Sequence, residues 1–424
     1  MDVTCDGFSG QGILKLDEAA DPVQAEEGEV ARLNAARQTS PDFATKHLPR
    51  VVHSLHHSGQ IAILSTVAGR GLEYANPWAS CAHEFQTETA RMVSRDLLED
   101  WNRDYTVRKG LLTPPEILNV WLGHRLDPNK GRLHKFMADA FGIDPDVRTI
   151  MFDGFWYPNP LSFATSPSEE TDRRKQRTVT GQIHGDLNGN NILVSKFASP
   201  EPSYFLIDFE FYEQGQELFY DHAYAELSHL LLMRARSDAS NWRSLLYELR
   251  SHIRPEDGSR LRGDDLGLVD VVRSIRGEVT SWIDRYESDR LSSLECQYLL
   301  ARVAVGLNFA HKRIDDKLRR MSFVYAAANL KDYLAFVGAK WPKHGPPIDF
   351  ETQPPPVEIA SQPVSQGEQA PVAAQPPAFP DRPAIAVLAF ENLSGDPSKD
   401  FVSDGLSHEI MLALSKIDWL MVIG

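Results

Sequence analysis

Cysteine is scarce in this chain: Cys5, Cys81 and Cys296 are the three in 424 residues. They are far apart and odd in number, which excludes a disulfide framework or a zinc ribbon and points to a reducing cytoplasm. Positive charge is also in deficit, with 44 Lys and Arg against 59 Asp and Glu for a formal net charge of −15. That balance excludes a general electrostatic affinity for nucleic acid or anionic membranes, so the expected partners are proteins or small molecules. No apolar run of about 18 residues occurs, and no basic stretch followed by an apolar one opens the chain. Neither a membrane span nor a secretory signal is expected. What is present, 42% hydrophobic residues, suffices for a sizeable core in about two or three domains.

Proline is concentrated rather than scarce. Residues 341–383 are crowded with Pro, Gln, Ala and Ser, as in Gln353-Pro354-Pro355-Pro356 and Gln375-Pro376-Pro377. Such a segment cannot bury enough apolar surface to offset its ordering entropy, which predicts an extended, disordered linker. It divides the chain into 1–72, 73–340, the linker 341–383, and 384–424. In the first part, Gly12–Leu16 reads as a strand and Gln24–Arg37 as a helix with Val30, Leu33 and Ala36 on one face. Leu48–Leu55 and Gln60–Thr66 read as a hairpin turning near His57-Ser58-Gly59. From Glu84 to Phe141 the pattern is helical, with Pro114-Pro115 opening one segment, and it is helical again from Ala223 to Leu334. After the linker, Ala384–Phe390 reads as a strand, Leu406–Ile417 as an amphipathic helix, and the last residues as the start of a second strand. That is a β-α-β unit cut off at its final strand, so the chain reads as a fragment.

The chemistry-bearing residues are concentrated in Ile183-His184-Gly185-Asp186-Leu187-Asn188-Gly189-Asn190-Asn191-Ile192 and in Leu206-Ile207-Asp208-Phe209-Glu210. Asp186, Asn191 and Asp208 lie between short apolar runs that read as buried strands. Phosphoryl transfer needs those groups: one carboxylate to orient a hydroxyl and accept its proton, and hard oxygen ligands to hold Mg²⁺ on phosphates. Asn188 and Asn190 read either as turn-forming residues or as contacts to substrate or backbone. Lys15 sits in an apolar strand, where an unpaired ammonium is costly. A glutamate of the following helix is its expected partner, Glu29 first and Glu26 second; the other reading is a surface lysine on an edge strand. His53, His56 and His57, and Cys81 with His83, lack the spacing of a metal site.

The order His184-Gly185-Asp186, four residues, Asn191, then Asp208-Phe209-Glu210 resembles the aminoglycoside phosphotransferase and choline kinase-like families, relatives of the protein kinases. The resemblance covers roughly Gly7–Leu334. It implies an α+β, bilobal protein kinase-like fold, with a small mixed lobe (N-terminally incomplete) and a larger helical lobe, using ATP and Mg²⁺. It makes Asp186 the catalytic carboxylate, Asn191 and Asp208 the metal ligands, and Lys15, with Glu29, the phosphate-binding pair. His184 would brace the loop and Asp221, opening Asp221-His222-Ala223-Tyr224, would support it from below. Glu210 replaces the glycine of the protein-kinase triplet, which points to a small-molecule hydroxyl as acceptor, with a protein hydroxyl still open. Gly7, Gly10 and Gly12 have no strand before them in this reading, so no glycine-rich cover is assigned.

Residues from Ile385 to Ile410 are similar to the TolB amino-terminal-like domain. This resemblance implies a bacterial signalling protein with protein partners at its C-terminal module, and a second functional class: a catalytically weak, nucleotide-binding regulator.

Overall fold

The computed structural model describes residues 2–5, 8–18, 28–57, 60–66, 75–165, 174–195, 203–234, 242–250, 264–286, 291–348, 384–386 and 421–423. They fall in two compact units divided after Val357. The first unit is mixed α+β, with a separate antiparallel sheet at the N-terminus and a helical region after it.

That sheet contains β1 (Asp2–Cys5) and β2 (Phe8–Glu18). Helices α1 (Glu29–Thr39) and α2 (Pro41–His47) follow, then β3 (Val51–His57) and β4 (Gln60–Thr66). The strand order is β1-β2-β4-β3. The β3–β4 hairpin is the expected one, and His57 pairs with Gln60. A strand does precede the glycines, against expectation: β1 pairs antiparallel with β2, and Gly10 sits within the ladder opposite Val3. Four residues are too short a window for alternation to show, although Asp6-Gly7 between the two runs is a hairpin signal. Helix α1 starts at Glu29; positions 24–27, which include Glu26, lie outside the described residues.

Next come β5 (Ala75–Pro77), α3 (His83–Asp96, continued by a π turn over Leu97–Trp101) and β6 (Thr106–Val107). Helix α4 (Pro114–Leu122) begins as Pro114-Pro115 predicts, with Thr113 and Glu116 exchanging side-chain and backbone hydrogen bonds in a capping box. Helix α5 (Leu133–Phe141) ends on left-handed Gly142. An unforeseen hairpin follows, β7 (Thr149–Phe152) and β8 (Phe155–Pro158). Its turn, Asp153-Gly154, takes positive φ at both positions. Asp-Gly between runs of β-branched and aromatic residues was a legible hairpin signal.

Beyond α6 (Pro160–Thr165) come β9 (Val179–Ile183), β10 (Ile192–Ser195), β11 (Tyr204–Leu206) and β12 (Glu213–Glu217). They form two small sheets, β11-β10-β5 and β12-β9-β6. Five helices complete the region: α7 (Tyr220–Arg234), α8 (Trp242–Arg250), α9 (Asp264–Tyr286), α10 (Leu291–His311) and α11 (Asp316–Phe336). Helices α10 and α11 are apolar on nearly every face and buried together. Gly306 permits their close approach, since a Cβ there would stand 2.7 Å from the Ala326 methyl.

The assignment of 341–348 to the linker is corrected. Residues Pro347–Ile348 form β13, which pairs in parallel with β7. Thr149 Oγ1 donates to the Pro342 carbonyl at 2.8 Å, and Ile348 is buried. The apolar Trp341 and Ile348 give this end something to bury, unlike the Pro-Gln run that follows. The linker from 349 to 383 lies outside the described residues. In the second unit, β14 (Ala384–Ala386) and β15 (Met421–Ile423) pair in parallel, as a β-α-β unit requires. The expected helix Leu406–Ile417 lies outside the described residues. Among the described residues no helix is long and apolar enough to cross a membrane.

Three buried histidines are expected to make the first unit acid-labile. Burial pushes His222, His229 and His311 down to about 4, with the charges of Arg132 and Arg125 adding to the effect at His311. Unfolded, each would titrate near its ordinary value of about 6.5. Between the two values the unfolded chain binds more protons, so the stability these groups contribute is complete above pH of about 6.5 and is lost as pH falls toward about 4. Thermal melting from pH 7 to pH 5 is expected to show a fall of at least about 5 °C. A flat profile would contradict the burial of these rings as neutral imidazoles.

Candidate active site

The segment His184–Asn191 joins β9 to β10, and Asp208 follows β11, the antiparallel neighbour of β10, where Ile192 faces Leu206. One backbone bond ties the two segments, from the Ile207 amide to the Asn191 carbonyl at 3.0 Å. The start of the loop is held from α7. The Asp221 carboxylate accepts the His184 amide at 2.6 Å and the Gly185 amide at 2.9 Å. Burial pushes the Asp221 carboxyl up, while the His184 ring and these two amide bonds act in the opposite direction. His184 is fully buried, its Nε2 2.9 Å from the Ile207 carbonyl and its ring 4.8 Å from that of Phe209. Both residues therefore touch the loop where sequence placed them. Gly185 has φ +82°, and a Cβ there would lie 2.4 Å from the Phe211 carbonyl oxygen, so no other residue fits without moving the loop. Replacing Asp221 with Ala leaves two buried amides without an acceptor. A loss of about 1–3 kcal/mol in urea unfolding is expected.

Asp186 is surrounded by donors. Its Oδ2 accepts from Asn188 Nδ2 at 3.0 Å and Asn191 Nδ2 at 3.2 Å. Its Oδ1 accepts from Lys312 Nζ at 2.9 Å and from the Tyr224 hydroxyl. Lys312 also donates to the Tyr224 oxygen and lies over the Tyr224 and Phe309 rings, 5.0 and 5.1 Å from their centroids. Burial first, then the Asp186 charge, raises the Tyr224 phenol well above its ordinary range, so it stays a donor at neutral pH. Sequence reasoning missed Tyr224 and Lys312. Tyr224 was findable, being one helical turn after Asp221 and so on the same face of α7. Lys312 follows the end of α10, and only folding brings it to Asp186.

On the other side, Lys15 Nζ lies 2.5 Å from Glu29 Oε2 and 3.5 Å from Asp208 Oδ1. Glu29, the first-choice partner, is thus on α1 against β2. Arg32 of the same helix donates to the Glu210 carbonyl, which docks α1 on the segment after β11. Asp208 has φ +67°, a strained conformation for a residue with a Cβ. Its side chain is two-fifths exposed, yet Oδ1 is buried with no hydrogen-bond partner beyond the Lys15 charge. Among the described residues no group of three or more His, Cys, Asp or Glu could hold a metal ion. One buried carboxylate oxygen without a hydrogen-bond partner is a hard oxygen donor of the kind that Mg²⁺ takes, the remaining ligands coming from water and phosphate.

No protein-family model matches the chain. Among curated proteins, “Putative adenylate cyclase 3” of Rhizobium meliloti (strain 1021) is 42% identical over 78 residues, which is 18% of this chain and 11% of that protein. Among solved structures, a glucosamine kinase in complex with glucosamine, ADP and inorganic phosphate aligns at TM-score 0.39 and 14% identity, over 76% of this chain and 72% of that one. A Plasmodium vivax ethanolamine kinase aligns at TM-score 0.31 and 11% identity, over 77% of each chain.

Proposed function

We propose that the first unit is a Mg²⁺- and ATP-dependent phosphotransferase acting on a hydroxyl, with a bilobal kinase-like fold. The observation that carries this reading is convergence: Lys15, Glu29, Asp186, Asn191 and Asp208 come from four separate stretches of sequence and meet around two linked loops. Asp186 orients the acceptor hydroxyl and takes its proton as the oxygen bonds to the terminal phosphorus of ATP, whose bond to the bridging oxygen breaks to release ADP. Four donors already occupy its two oxygens, about the number of lone pairs a carboxylate offers. One donor must therefore yield when the acceptor arrives, and Lys312, with a side chain 36% exposed, is the one free to turn toward solvent. Lys15, fixed by Glu29, pairs with nucleotide phosphate. Asn191 and Asp208 would hold Mg²⁺, which when bound neutralises phosphate charge. His184 and Asp221 keep the loop rigid, so the site is pre-organised rather than assembled at each turnover.

The test is thermal melting with Mg-ADP. Wild type should gain several degrees, Asp208→Ala should lose that gain, and Asp186→Ala should keep it. No response to nucleotide from the wild-type chain would sink the enzyme reading. The 78-residue likeness to “Putative adenylate cyclase 3” favours a second reading, a nucleotide-binding regulator joined through a TolB-like second unit to protein partners. It predicts the same Mg-ADP response without transfer to any hydroxyl.

A further inference from the structure

We propose that the cavity between the β7–β8 hairpin and the end of α11 binds an aromatic ring carrying an anionic group, a carboxylate or a phosphate. None of its lining residues belongs to the candidate active site, so this second site stands whether or not the first unit transfers phosphate.

The cavity measures about 640 Å³, within the size range of small-molecule sites. Three aromatic residues line it: Phe155 and Trp156 from β8, and Trp341 from the segment after α11. Phe155 is half exposed, and both tryptophans are partly so. The space between them follows from small neighbours. Gly154 has no side chain at the hairpin turn, and Ala335 and Ala339 contribute only methyl groups. The two walls are tied to one another. Thr149 Oγ1 of β7 donates to the Pro342 carbonyl and the Met151 amide to the Pro346 carbonyl, each at 2.8 Å. The hairpin and the segment carrying Trp341 are therefore held in one arrangement before any ligand arrives, which lowers the ordering cost of binding.

Every charged residue of the lining is a lysine: Lys331, Lys340 and Lys343. Lys331 is fixed in place. Its Nζ donates to the Trp156 carbonyl at 3.1 Å and stands 4.7 Å from the Tyr157 ring centre and 5.9 Å from that of Trp341. Lys340 and Lys343 are exposed and have no ion-pair partner among the described residues. Asp153, the acid at the hairpin turn, is paired with Arg243. In a chain of net charge −15, a cavity whose charged lining is three ammonium groups runs against the overall sign. The indole N–H groups of Trp156 and Trp341 also have no hydrogen-bond partner among the described residues. Aromatic faces take a ligand ring by stacking, and ammonium and indole donors take carboxylate or phosphate oxygens. An aromatic amine would meet repulsion, and an anion without a ring would leave the aromatic walls in water.

Melting and tryptophan fluorescence of the full chain at fixed ionic strength test this, with phenyl phosphate, phenylacetate, phenethyl alcohol, phenethylamine and inorganic phosphate as probes. At least one aromatic anion should raise Tm and change the tryptophan emission. The alcohol, the amine and inorganic phosphate should do neither at the same concentration. A response to one aromatic anion and not the other supports the site and identifies the anionic group it takes. The double variant Lys340→Gln with Lys343→Gln, at two exposed positions, should weaken binding of that anion by at least about tenfold. Trp341→Leu should weaken it too and remove most of the emission change. The proposal is overturned if neither aromatic anion binds wild type, if the alcohol or the amine binds as tightly, if inorganic phosphate matches phenyl phosphate, or if the double lysine variant binds like wild type. A wild-type chain that answers an aromatic anion but not Mg-ADP would keep this site and end the phosphotransferase reading.

Discussion

Arg276→Met should cost about 3–5 kcal/mol of stability, because it strands a buried charge. Glu226, in the middle of α7, is fully buried. Arg276 of α9 meets it in a two-pronged pair, Nε at 2.9 Å and Nη2 at 2.5 Å. The Tyr325 hydroxyl of α11 adds a bond at 2.6 Å, and Arg276 also donates to the Leu249 carbonyl at the end of α8. Burial by itself would raise the Glu226 carboxyl, but the guanidinium outweighs it and holds the group below the usual carboxylate range. Four helices thus share one ion pair, and with Arg276 gone the carboxylate must either take up a proton or stay unpaired in the core. Urea unfolding measures the loss. The double variant Glu226→Gln with Arg276→Met should recover part of it, since an uncharged pair removes the stranded carboxylate. A single variant within about 1 kcal/mol of wild type would show that water reaches Glu226.

Asp186→Asn should lower phosphoryl transfer by about 10²–10⁴-fold, the usual contribution of a positioned general base. The amide keeps the size of the side chain but removes the charge that pairs with Lys312 and the basic oxygen that receives the hydroxyl proton in the proposed reaction. Stability should change little, because this carboxylate belongs to the site and not to the core, and Mg-ADP stabilisation should persist. Turnover is measured with whichever hydroxyl compound a screen of small alcohols returns. Full activity in Asp186→Asn would mean that another base takes the proton, and Tyr224 could not be that base with its phenol held protonated.

The residues of the candidate site's loop were legible because their types and spacing are local. His184, Asp186 and Asn191 share one loop, Asp208 closes the next strand, and Asp221 opens a helix, so short-range pattern was enough to place them. Lys15 and Glu29 were legible for an energetic reason: an ammonium in an apolar strand requires a carboxylate near it. The hairpin at Asp153-Gly154 was missed because the stretch after Phe141 was given no element, and strand β1 because four residues are too few for alternation to show. The linker began too early because proline content was weighed ahead of the apolar residues at 341–348.

By itself the sequence determined the apolar faces, the helix starts and the residue types of the loop, which depend on neighbours within about one or two turns of chain, and the need of Lys15 for a carboxylate. Only the tertiary structure decided what surrounds the Asp186 carboxylate. Lys312 stands 126 residues away along the chain, and the packing of α10 against α7 and α11 carries it there. Charge counts along a sequence carry no direction, so a chain of net negative charge can still set a lysine against its candidate carboxylate once folding brings a distant helix end to it.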